Sequence, residues 1–124
     1  MYTSPNLSRL MERVRYMMRS TPESTAKFDD AFIKLQQKRG DGKVGMDIKA
    51  AKDLVAANPD SAHDFVIIQC VLAKTNTSHL QAAMVVAKLF GIVTGDEGLV
   101  REVRQVASSM GAAAVIDRIQ VAAE

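Results

Sequence analysis

The chain has 124 residues, 48% of them hydrophobic and 24% charged, which is an ordinary globular composition and excludes wholesale disorder. Sixteen Lys+Arg against 14 Asp+Glu leave a net charge of +2, too small to imply a nucleic-acid partner by itself. The single Cys70 cannot staple the fold, and no apolar run approaches the roughly 20 residues that cross a bilayer.

Apolar positions recur at helical spacing along nearly the whole chain, so the expected fold class is all-α. The expectation is a small bundle of about six to seven short helices, built around a helix-turn-helix hairpin, in one domain spanning 1–124. A first helix over 6–19 carries Leu7, Leu10, Val14 and Met17/Met18 on one stripe. Arg9, Arg13, Arg15 and Arg19 answer Glu12 alone, giving residues 1–20 a basic surface. That segment has no basic-then-apolar pattern of a cleaved secretory leader.

Thr21-Pro22-Glu23 supplies an N-cap, a proline at the first helical position and an early acid, starting a helix over 22–38 with Phe28, Ala31/Phe32 and Leu35 inward. The stretch KRGDGKVGMD (38–47) follows. It contains an Arg-Gly-Asp triplet, and its register against a calcium loop puts Gln37, Arg39 and Ile48 where oxygen donors are needed, so calcium is not expected. Gly42-Lys43 is followed by Val44, which excludes a phosphate loop. Gly40, Gly42 and Gly45 read as a hinge, breaking one helix and letting the next fold back.

A helix over 46–57 places Ile48, Ala51 and Leu54/Val55 on one side and stops at Asn58-Pro59. The next, over 61–75, carries Phe65, Ile68 and Leu72 inward, with Cys70 as a small buried hydrophobe. Ser78 to Gln81 has capping-box spacing and opens a helix over 78–91 that Gly91 is suited to end. This helix is apolar nearly all round, with Leu80, Met84, Ala87 and Phe90 on one half and Val85 and Leu89 on the other. Such a helix is central in its own fold or packs on another chain. A helix over 96–110 and a last one in AAAVIDRIQVAAE complete the set.

Catalytic patterns are thin. Ser24 to Lys27 fits S-x-x-K without its companion elements, Asp29 and Asp30 point about 100° apart on their helix, and His63 and His79 have no ligand neighbours at metal spacing. No enzyme, metal or cofactor is therefore expected.

Two stretches carry a family resemblance. AANPDSAHDFVIIQCVLAKTN resembles the helix-turn-helix of needle and inner-rod proteins of bacterial type III secretion machines, with an Asn-Pro-Asp turn and a helix bearing Gln69 and Leu72. HLQAAMVVAKLFGIVTGDEGLV is similar to the inner-rod carboxy-terminal pattern: an apolar helix, Ala87-Lys88, Gly91 and a final Leu99-Val100. The resemblance covers residues 52–104. It implies a virulence-associated structural or secreted component, made in the bacterial cytoplasm and exported without a cleaved signal peptide, with residues 1–20 as export signal or flexible segment. It further implies self-association or contact with other apparatus subunits through Leu80, Met84, Ala87, Phe90 and Gly91, with Gln69 and Leu72 holding the hairpin. Those residues are otherwise simply the core of one folded monomer. The chain departs from the pattern by continuing some way past Leu99-Val100.

Two other classes compete. AKLFGI, with Ala87 and Gly91, looks like the start of a DNA-binding helix-turn-helix, followed by a helix exposing Arg101, Arg104 and Gln105 for base edges. Against it, the turn IVTGDEG reads as too long and brings Asp96 and Glu97 towards phosphates. The second competitor is a cytosolic helical chaperone or adaptor.

Overall fold

The computed structural model describes residues 18–38, 44–73 and 78–117. The expected first helix, but for its last residues, lies outside them, as do Gly40 and Gly42 of the hinge, the Arg-Gly-Asp triplet and the segment 118–124.

The described residues are all-α in class: five helices of ten residues or more, one five-residue helix and one short β-ribbon. Helix α1 (Pro22–Lys34) starts where the sequence signals placed it. Thr21 Oγ1 accepts from the Ser24 amide at 3.1 Å, and Pro22 fills a position whose amide needs no partner. The helix stops four residues earlier than expected. Residues Gln36–Lys38 (β1) pair antiparallel with Val44–Met46 (β2), Gln37 standing opposite Gly45. The described residues on either side of the expected helix-to-helix turn are therefore paired as a ribbon, and Gly45 is a strand residue within it.

Helix α2 (Ile48–Ala57) is capped by Asp47, whose carboxylate accepts from the Ala50 amide at 3.0 Å. It gives way to α3 (Pro59–Leu72) at one residue, Asn58. The Asn58 amide still donates to Leu54, while its carbonyl already accepts from Ala62. Pro59, lacking an amide hydrogen, allows the change of direction between them.

Helix α4 (Ser78–Thr94) is the centre of the fold and packs against α2, α3, α5 (Gly98–Ser109) and α6 (Ala113–Asp117). Leu80, Ala83, Met84, Val86, Ala87 and Leu89 are fully buried and Phe90 nearly so. Of the two roles open to an all-round apolar helix, the structure places this one inside its own chain. Helix α1 packs on α3 through a three-ring cluster: Phe65 lies 5.4 Å from Phe28 and 5.2 Å from Phe32, centroid to centroid.

Gly91 does not end α4. The helix passes through it to Thr94, and the stop is Gly95, whose φ of 80° is left-handed backbone open to glycine. Gly111, at φ 71°, similarly separates α5 from α6. The inward face of α3 also differs from expectation. Phe65 is buried, but so are Ser61, Ala62, Val66, Cys70 and Ala73, whereas Ile68 and Leu72 are half-exposed. Every side of α3 is apolar, so spacing alone could not choose which side faces in.

Candidate functional site

The residues expected to meet other proteins fall into two groups. Leu80, Met84, Ala87 and Phe90 are built into the core of this chain, and Gly91 is half-buried beneath the α4–α5 turn. A β-carbon at Gly91 would stand 3.5 Å from the Asp96 carbonyl, an ordinary contact. Gln69 and Leu72 lie half-buried on α3. Gln69 reaches the first turn of α4, where its Oε1 stands 2.7 Å from His79 Nδ1. This polar contact joins α3 to α4, whereas the hairpin expected from the Asn-Pro-Asp turn is the pair α2 and α3.

The sequence reading missed the most heavily engaged polar side chain, Asp64. It is 1% exposed, and its carboxylate receives the backbone amides of Arg19 at 3.0 Å and Ser20 at 2.8 Å. The Ser20 hydroxyl donates to it at 2.6 Å, and His63 Nδ1 lies 3.4 Å away. Thr25 Oγ1 stands 2.7 Å from Ser20 Oγ, extending the network into α1. Burial alone would push the Asp64 carboxyl up, but the hydrogen bonds from Ser20, Arg19 and His63 together hold it below the ordinary range for aspartate. A signal was present in the sequence: Asp64 is the only carboxylate in the apolar run 61–73.

Serine, histidine and aspartate meet here, but not in the order that nucleophilic catalysis uses. The Ser20 hydroxyl donates its hydrogen bond directly to Asp64, whereas a triad places histidine between them. The His63 ring instead leans on Phe90 at 6.0 Å between centroids. The arrangement serves as a clasp holding the chain before α1 against the first half of α3.

Elsewhere, burial raises the Asp29 carboxyl, with the neighbouring charge of Asp30 adding to the effect. Among the described residues no group of three or more His, Cys, Asp or Glu side chains is placed to hold a metal ion. Among the same residues no helix is long and apolar enough to cross a membrane.

The α4–α5 connection is shorter than the sequence suggested. Because α4 runs to Thr94 and α5 begins at Gly98, only Gly95, Asp96 and Glu97 lie between them. Leu99, Val100, Val103 and Ala107 seat α5 on the core, leaving Arg101, Glu102, Arg104 and Gln105 exposed. Asp96 and Glu97 are exposed at the start of that helix. No family model, curated protein or solved structure matches the chain.

Proposed function

We propose that this chain is a helical interaction protein that works through the outside of its bundle, and, more finely, that it is a structural or secreted component of a bacterial type III secretion apparatus. The observation that carries the broader reading is the employment of the interior polar groups. Asp64 is committed to the amides before α1, His79 to Gln69, and His63 lies between Asp64 and Phe90. The polar chemistry inside the bundle holds helices together and leaves the outer faces of the helices for recognition.

The finer reading rests on the resemblance over residues 52–104 and is supported by the two helices α2 and α3 that meet at Asn58-Pro59, as its Asn-Pro-Asp turn implies. It requires one change in the expected mode of assembly. Leu80, Met84, Ala87 and Phe90 are occupied within one copy, so contacts with other subunits use exterior residues. The deciding experiment follows the tagged full chain in bacteria with an intact or an inactivated type III export apparatus. Appearance in the medium only from the intact cells supports the reading, and equal retention or equal release in both removes it.

A second reading, a helix-turn-helix regulator, is favoured by the three-residue turn Gly95–Glu97 and by Arg101, Arg104 and Gln105 on the exposed side of α5. The acidic pair Asp96 and Glu97 at the head of α5 opposes it electrostatically. Binding to random duplex DNA that weakens steeply with salt, and weakens further in Arg101→Ala, would establish it.

A further inference from the structure

We draw no further inference here: the strongest candidate, the apolar surface patch along the outer side of α4 where Ala82 and Val85 are half-buried and Ile92 is 46% exposed, carries none because nothing in the structure shows what covers it.

Discussion

His79 Nδ1 stands 2.7 Å from Gln69 Oε1, a polar contact across the pair of helices that dominates the fold. In this geometry the ring nitrogen carries the proton and donates to the amide oxygen. Both side chains are half-buried, so water competes only in part for the bond. A double-mutant cycle with Gln69→Ala and His79→Ala, read by urea unfolding, should give a coupling energy of about 0.5–1.5 kcal/mol. Strict additivity would mean that the two side chains do not cooperate.

The Asp64 clasp makes a larger prediction. Asp64→Ala leaves two amides and a hydroxyl without their acceptor and should cost about 2–4 kcal/mol in stability, whereas Ser20→Ala removes one donor and should cost less. The pH dependence follows from the direction of the shift. Because the folded carboxyl titrates below the unfolded one, its contribution is fully present above the unfolded pKa of about 3.9 and is lost as pH falls through the folded value. Asp29 acts with the opposite sign, its raised carboxyl being relieved by protonation as pH falls through the folded value. The acid-side loss of stability should therefore shrink in Asp64→Asn and grow in Asp29→Asn, measured by unfolding at a series of pH values between neutrality and strong acid.

Two glycines separate the observed helix end from the expected one. Gly95 holds left-handed backbone with nothing near its would-be side chain, so Gly95→Ala should destabilise by about 1–2 kcal/mol through backbone strain alone. Gly91 is helical with room for a methyl group, and Gly91→Ala should stabilise by about 0.5–1 kcal/mol. If α4 ended at Gly91, the two substitutions would exchange their signs.

These cases show what could be read in advance. The start of α1 and the break at Asn58-Pro59 were legible because proline and an oxygen-bearing cap act locally. So was the special character of α4, since a helix apolar all round has to be covered everywhere. Its end was not, because the residues that carry it past Gly91 act through the fold. Buried Leu89 and Phe90 hold the last turns against the core, the Gly95 amide donates back to the Gly91 carbonyl at 2.8 Å, and Thr94 Oγ1 donates to Phe90 at 2.7 Å.

The ribbon was equally hidden, since Gln36-Gln37-Lys38 has no strand pattern and gains its partner only from the register with Val44–Met46. The clasp depends on residues 44 and 45 positions apart in sequence, beyond the reach of any local motif. For the candidate site, the meeting of Gln69 with His79 was not legible, because it joins side chains on two different helices. The identification of Leu80, Met84, Ala87 and Phe90 as either core or joint needed the structure to decide.

The buried residues of α4 give the strongest expected effects on stability. Met84→Ala and Leu80→Ala each remove a fully enclosed side chain and should cost about 2–5 kcal/mol, with Phe90→Ala at about 3–5 kcal/mol. Gln81→Ala, on the same helix but exposed, should cost far less. Comparable losses for all four would contradict the assignment of α4 as the centre of the bundle.

The most direct test is the unfolding midpoint of the full chain across a hundredfold range of protein concentration, repeated with Met84→Ala. A helix filled by its own chain predicts one midpoint at every concentration, lowered by the same amount throughout in the variant. A midpoint that climbs with concentration would show that α4 is completed by another copy, because only association couples stability to mass action. That result would return Leu80, Met84, Ala87 and Phe90 to an intermolecular joint and contradict the account of a self-contained bundle.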